Sequence, residues 1–374
     1  MTITSQEKLS WLRLARSENV GRSTFFRLIE IFGSPAKALE HLHELAQRGG
    51  ISRKIRIFSQ GEAQRELTLS EKFGAEILLF CDENYPRLLR AIPDPSPILT
   101  IKGDAELFKS DCIAIVGSRN ASFNGISFAK KIALELGQYS IVTVSGMARG
   151  IDTAVHEASI LSGTIAVIAG GIDNVYPSEN DALYKEVMRR GLLISESPFG
   201  APPKGGNFVQ RNRLISGLAL AVIVVEAGVK SGSLITARFA AEQGREVFAV
   251  PGSPFDPRCQ GANRLIKDGS NMLESIDDVI NELANMKARF ADVGYLRETD
   301  GEEFEAPLQK IPSDADIEKI REEILEKLSF VPTEIEDIIS NLRLPARAVN
   351  IALVQLELAE KIVINQGKVS IKTS

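Results

Sequence analysis

Between Cys112 and Val279 the apolar positions come in short continuous runs, not in alternation with polar ones. Runs at 112–116, 141–145, 165–169, 192–195, 220–225 and 247–250 are β-branched and Ala-rich and read as strands. Between most of them, near 123–137, 151–162, 179–190 and 233–243, apolar residues recur at helical spacing. Strands apolar on both faces belong to a parallel sheet covered on both sides. The predicted class is α/β: a Rossmann-like, doubly wound, mostly parallel sheet over residues 85–287.

The flanks differ. Residues 1–84 read as an N-terminal helical domain. In it a short helix, a turn at Glu18-Asn19-Val20-Gly21 and a second helix carrying Phe25, Phe26, Leu28, Ile29 and Phe32 follow one another. Such a hairpin fits either a helix-hairpin-helix module gripping a DNA backbone or a small bundle that packs against protein. Residues 288–315, with Asp292, Glu298, Asp300, Glu302, Glu303 and Glu305 and few apolar positions, read as an acidic linker. Residues 316–374 read as three helices and a hairpin turning at Gly367, a winged helix. Eleven acids against eight bases from 314 to 374 suit duplex DNA poorly and leave protein contact or packing open beside it.

Composition changes this picture in two places. The chain of 374 residues carries a net charge of -5, yet Lys204 to Lys267 holds nine Lys/Arg against four acids. A local basic face can bind phosphates whatever the total charge. Three scattered cysteines suit a reducing compartment. No apolar run approaches the ~20 residues of a membrane span and no signal pattern opens the chain, so a cytoplasmic protein without membrane insertion is expected.

Candidate chemistry falls at the carboxyl ends of the expected strands, where parallel sheets bind ligands. Gly117-Ser118-Arg119 offers backbone N–H groups and a guanidinium to a phosphate, and the loop Gly146–Gly150 brings Arg149 beside it. From Lys204 onward come Phe208, Arg211 and Arg213, then the turn Ser231-Gly232-Ser233 opening a helix, with Ser233 expected as its cap. An aromatic, guanidiniums and a helix N-terminus together suit single-stranded nucleic acid. The alternative is that Phe208 is core and both arginines pair with nearby acids. After Pro202, Pro203, Gly205 and Gly206, Phe208 is expected on a surface loop. The dinucleotide fingerprint and the P-loop are absent. Asp152 is expected to brace the turn at Gly150, His156 to be structural, and Asp173 and Asn174 to shape their loop. No metal site and no cofactor are expected.

Ile115-Val116-Gly117-Ser118-Arg119, Ser145-Gly146-Met147-Ala148-Arg149-Gly150-Ile151-Asp152, Ala169-Gly170-Gly171-Ile172-Asp173-Asn174-Val175-Tyr176-Pro177, Arg211-Asn212-Arg213-Leu214-Ile215-Ser216-Gly217, Ser231-Gly232-Ser233-Leu234-Ile235-Thr236-Ala237-Arg238 and Val250-Pro251-Gly252-Ser253 occur in one order. In these motifs the chain resembles the DNA-processing protein A family (DprA/Smf) over roughly 85–295. The flanks resemble that family's sterile-alpha-motif-like and winged-helix domains. The resemblance implies a non-catalytic recombination mediator of natural transformation that binds single-stranded DNA, forms a homodimer and loads the RecA recombinase. Carried onto this sequence, Gly117, Ser118 and Arg119 are the phosphate turn, Phe208 the stacking aromatic, and Arg211 and Arg213 lie on the DNA path. Ser231, Gly232 and Ser233 line the pocket, Lys204 stands in for a basic residue where this chain has Gly205 and Gly206, and Leu265 and Ile266 are dimer-interface candidates.

Two other readings stand beside it. A phosphoribohydrolase-like enzyme would need Pro-Gly-Gly-x-Gly-Thr-x-x-Glu, but the loop after Gly170-Gly171 lacks the Gly-Thr and the Glu. A transcription regulator would act through the winged helix, which its acidic balance weakens.

Overall fold

The computed structural model describes residues 4–291, 314–365 and 367–372. Two compact units emerge: one from the described parts of 1–67, 93–98 and 300–374, the other from 68–92 and the described part of 99–299. In chain order the helices are α1 (Ser5–Arg16), α2 (Arg22–Phe32), α3 (Pro35–Arg48), α4 (Gln60–Phe73), α5 (Arg87–Arg90), α6 (Phe123–Gln138), α7 (Ile151–Ser159), α8 (Asp181–Arg190), α9 (Gly205–Gly217), α10 (Gly232–Glu242), α11 (Gln260–Lys267), α12 (Ile276–Arg289), α13 (Asp314–Lys327), α14 (Ile335–Leu342) and α15 (Ala346–Leu358). The strands are β1 (Glu76–Leu79), β2 (Ile98–Gly103), β3 (Cys112–Gly117), β4 (Val142–Ser145), β5 (Thr164–Ile168), β6 (Leu192–Ser195), β7 (Ala221–Val225), β8 (Glu246–Ala249), β9 (Asn271–Met272), β10 (Thr333–Glu334), β11 (Ile362–Asn365) and β12 (Lys368–Ile371).

The larger unit is a sheet in the order β1-β2-β6-β5-β4-β3-β7-β8-β9. Strands β6 through β9 in that order pair in parallel, and β2 runs antiparallel to β6. The central strands are buried along their length, as continuous apolar runs require. Alternate residues feed two layers. Ala114, Val116, Val144, Val167, Val222 and Val224 meet Leu214, Ile215 and Leu218 of α9 and Ala237 and Ala240 of α10. Ile113, Ile115, Ala221, Ile223 and Val225 meet Ala129, Ile132, Ala133 and Leu136 of α6 and Ile276 and Val279 of α12. The chain reverses its direction of building at β3, whose neighbours are β4 and β7, and that switch point faces the loops after all three strands.

The expected boundary at residue 84 is corrected. Residues 68–84 belong with the sheet, because Ile77–Leu79 bury their side chains in it. Most of the expected acidic linker, 292–313, lies outside the described residues, and α12 already runs through Arg289.

In the smaller unit the winged helix, α13–α15 with β10, β12 and β11, packs on the N-terminal helices. Val354 and Leu358 of α15 join the core of Leu14, Phe25, Leu28, Leu42 and Leu45. A buried polar seam runs beside them. Thr24 Oγ1 donates to Glu357, and Arg27 on α2 holds that carboxylate against the burial that raises its pKa. Asn19, in the α1–α2 turn, donates to the Leu358 carbonyl at 2.9 Å. Helix α15 is the second helix of the helix-turn-helix, the one that enters a major groove in duplex-binding relatives of the motif. Here nine of its residues are buried. Of the two uses left open for the winged helix, packing is the one its described face serves.

Candidate nucleic-acid interface

The site begins with what the backbone can fit. A Cβ at Gly117 would stand 1.9 Å from the Val225 carbonyl, so only glycine lets β3 end against β7. Gly150, at φ +78°, lets the loop after β4 double back until Ile151 N donates to the Ser118 carbonyl at 3.2 Å. The two loops expected to meet do meet. Asp152 accepts from Ala148 N at 3.1 Å and braces that loop, as the sequence suggested. Asp173 accepts from Gly200 N at 2.8 Å, and Asn174 donates to the Ala201 carbonyl at 3.1 Å, so both shape their loop.

Between these loops and the starts of α9 and α10 lies a groove of about 810 Å³. Ser118, Arg119, Phe208, Lys230, Ser231 and Ser233 are among the residues that line it. A smaller recess of about 320 Å³, with Arg149 and Tyr176 on its wall, adjoins it and shares Arg119, Phe208 and Arg211. Helix α10 points its N-terminus into the groove. Its cap is Ser231, which corrects the expectation of Ser233: the Ser231 hydroxyl accepts from Ser233 N at 3.4 Å, and Ser233 is the buried second residue of the helix. Two serines flank one glycine here, and spacing alone does not distinguish them. The remaining free N–H groups of α10 favour an anion.

Phe208 is not on a loop. It sits in the first turns of α9, because Pro202 and Pro203 precede the helix and Gly205 and Gly206 occupy its start, where neither breaks it. The ring is half-buried, 5.2 Å from the Tyr176 ring, with the Arg119 guanidinium 5.4 Å from its centroid. A cation over one aromatic face gives a surface that is both charged and stackable.

The two following arginines are placed differently: Arg211 lines the groove and the recess, and Arg213 lines neither. Arg211 is 5 % exposed; its guanidinium donates to the Gly146 carbonyl at 2.6 Å and to the Val167 carbonyl. It ties the loop after β4 to β5 while lining the groove. Burial pulls the Arg211 pKa down to about 10 and raises that of Asp152, while each charge holds the other ionised. Arg213 is 1 % exposed and ion-pairs Glu196, away from the groove lining. Positions 211 and 213 are 200° apart around a helix, so both cannot face one groove. The reading in which the arginines pair with nearby acids describes Arg213 with Glu196, whereas Arg211 is held by carbonyls with Asp152 close by.

Lys204 is exposed at the N-cap of α9, outside the residues that line the groove, and Arg149 is exposed and stands 3.9 Å from Glu179. Leu265 packs against the sheet core and its neighbour Ile266 is half-buried. Sequence reasoning passed over Lys230, Tyr176 and Asn212. Asn212 donates to the Gly232 carbonyl at 3.2 Å and ties α9 to α10. His156 is fully buried, its Nδ1 2.7 Å from Thr164 Oγ1, and burial with the Arg211 charge pushes its pKa to about 3. It is structural. Among the described residues no three His, Cys, Asp or Glu side chains are grouped to hold a metal, and no helix is long and apolar enough to cross a membrane. A further cavity, about 680 Å³ around Cys112, Leu218 and Phe290, has its basic residues Lys287, Lys109 and Arg87 tied to Asp111, to Glu106 and to the Phe290 and Ala291 carbonyls.

A parallel sheet whose switch point carries a glycine turn, a helix N-terminus, a guanidinium and a paired aromatic defines an anion-binding α/β protein. Residues 76–284 match the DNA recombination-mediator protein A family, 5–68 its DprA-like N-terminal HHH domain, and 307–368 its DprA winged helix domain. The chain belongs to this DprA/Smf family. It is 42% identical over 231 residues to DNA processing protein DprA of Bacillus subtilis, covering 61% of this chain and 78% of that one. It is 35% identical over 300 residues to Protein Smf of Synechocystis, covering 74% and 75%. The crystal structure of DNA processing protein A from Streptococcus pneumoniae superposes with a TM-score of 0.62 at 34% identity, over 75% of this chain and 99% of that one. DNA processing protein A of Helicobacter pylori, whose structure was described for its single-stranded-DNA binding mode, gives 0.52 at 30% identity, over 56% and 96%.

Proposed function

We propose that the chain is a non-catalytic mediator that holds single-stranded DNA in the groove at the sheet's switch point and passes it to the RecA recombinase, working as a cytoplasmic homodimer. The observation that carries this reading is the Arg119–Phe208–Tyr176 cluster where the recess joins a groove that contains a helix N-terminus. Phosphates take the Gly117–Arg119 turn and the start of α10, from Ser231 to Ser233. A base takes the open side of Phe208. Lys230, Lys204 and Arg149 add exposed positive charge around it. A non-catalytic role is supported by Asp152, a carboxyl lining the groove that is engaged by Ala148 N and the Arg211 charge. Leu265 and Ile266, on α11, are the proposed dimer contact.

Arg119 replaced by alanine tests the phosphate half. Oligo-dT affinity falls roughly tenfold or more, for a charge-assisted bond of ~1.5–3 kcal/mol. The slope of log affinity against log salt shrinks by about 0.7. A folded Arg119→Ala variant with the parent's affinity and slope would remove the turn from the DNA path.

A further inference from the structure

Two phenylalanines in the sheet unit are almost bare, Phe123 at 93 % exposed and Phe255 at 94 %. A singly exposed apolar side chain needs no explanation. They stand 132 residues apart in sequence, next to segments that both border the groove: Asn120 lines it before Phe123, and Pro257 and Arg258 line it after Phe255. Phe123 opens α6 just after Ser122, whose backbone N donates to Glu226 at 2.9 Å and whose hydroxyl also bonds that carboxylate. The loop carrying Phe255 leans on the same place. Pro257 and Arg258 line the groove, and Glu226 acts electrostatically on Arg258. Asn120, three residues before Phe123, lines the groove as well. Phe208 and Tyr176 mark the side where the smaller recess adjoins, and Pro257 and Arg258 border the groove from the segment that carries Phe255.

Their surroundings say what could cover them. The loop is bonded within itself: Phe255 N donates to Ser253 Oγ at 3.3 Å, and Arg258 forks onto Asp256. Exposed Lys230 and exposed Val229 stand in the turn between β7 and α10 that shares this wall. Bare aromatic rings next to a groove with basic edges fit a flexible polyanion whose units carry flat apolar faces.

We propose that Phe123 and Phe255 form a second stacking platform, which takes bases of the same DNA strand after it leaves the Phe208 groove. This inference rests on the groove being a single-strand site. The strand's contact area then grows with length in two stages: a short oligonucleotide fills the groove, and a longer one reaches both platforms.

The experiment compares oligo-dT of about 6 and about 20 nucleotides against the parent, Phe208→Ala and the double variant Phe123→Ala/Phe255→Ala. Bare rings carry no packing, so the double variant keeps the parent's melting temperature. The expected result is a loss of affinity of roughly five- to a hundredfold per ring for the long strand, with the short strand unaffected. Phe208→Ala weakens both lengths. A Phe255→Trp variant gives a second readout: its fluorescence, corrected for Trp11 in the parent, is quenched by the long strand and not by the short one. Parental affinity of the double variant at both lengths overturns the platform while leaving the groove reading intact. So does a double variant that turns monomeric by light scattering with its per-protomer affinity unchanged, because a second copy of the chain would then be the occupant. A parent that binds neither length overturns the groove reading and the platform with it.

Discussion

At the scale of single residues the proposed reading separates side chains that would touch DNA from side chains that hold the loops still. Phe208 belongs to the first kind with a share in packing. Truncation to alanine exposes half a ring against Tyr176 and costs ~1 kcal/mol, a melting shift of ~2–4 °C, well short of the ~3–5 kcal/mol of a core phenylalanine. Its oligo-dT affinity drops roughly five- to a hundredfold, and Phe208→Trp keeps most of the affinity. A large melting shift with intact affinity per folded molecule would make Phe208 a core residue. Arg211 belongs to the second kind. Arg211→Ala strands the Gly146 and Val167 carbonyls and leaves Asp152 uncompensated, a loss of ~3–5 kcal/mol read by denaturant titration. Arg211→Lys does not rescue it, because one ammonium cannot copy the fork. His156 adds a pH dependence. The unfolded chain takes up its proton near 6.5 and the native state only near about 3. Stability therefore falls as pH drops between those values, by up to ~1.4 kcal/mol per unit from this group. The urea midpoint of the parent should fall between pH 7 and pH 5 by more than that of His156→Gln; equal falls would contradict the assignment.

At the scale of elements, what could be read beforehand followed from periodicity. Six strands and four helices of the sheet unit lie within about three residues of where apolar spacing put them. The misses have physical causes. Helix α9 looked like a loop because Pro202, Pro203, Gly205 and Gly206 read as breakers, yet prolines before a helix and glycines in its first turn leave its hydrogen bonds intact. Strand β1 is four residues long and β2 follows three closely spaced prolines, so neither stood out. The facing of Arg211 and Arg213 was out of reach for the same reason: without α9 there was no 100° step to separate them. The winged helix was recognised, but only the structure reveals that α15 is spent on packing. Glu357→Lys tests that seam. It sets a buried cation beside Arg27 and removes the Thr24 acceptor, and loss of one partner of such a pair costs ~3–5 kcal/mol. A lower melting temperature with faster proteolysis at the winged helix is expected; an unchanged melting profile would mean that the seam carries no weight. On α11, Ile266→Glu should yield a monomer by light scattering, and a parent already monomeric at micromolar concentration would remove that interface.

At the scale of the whole molecule the charges explain how an acidic protein can hold a polyanion. The net charge is -5, but the groove side gathers Arg119, Lys230 and Arg149, with Lys204 at the head of α9. Acids nearest the groove are engaged internally: Asp152 braces its loop, Glu226 caps α6 through Ser122, and Asp256 pairs with Arg258. Nine residues of the winged domain's recognition helix are buried, and that domain's acidic balance suits duplex poorly. The central claim is thus a preference between two forms of the same polymer. It is tested most directly by titrating the protein with oligo-dT and with a blunt duplex of equal length across a salt series. Tighter binding of oligo-dT at every salt, with log affinity falling linearly by ~0.7 per phosphate neutralised, is the expected result. Equal affinity for the two, or binding indifferent to salt, would contradict it.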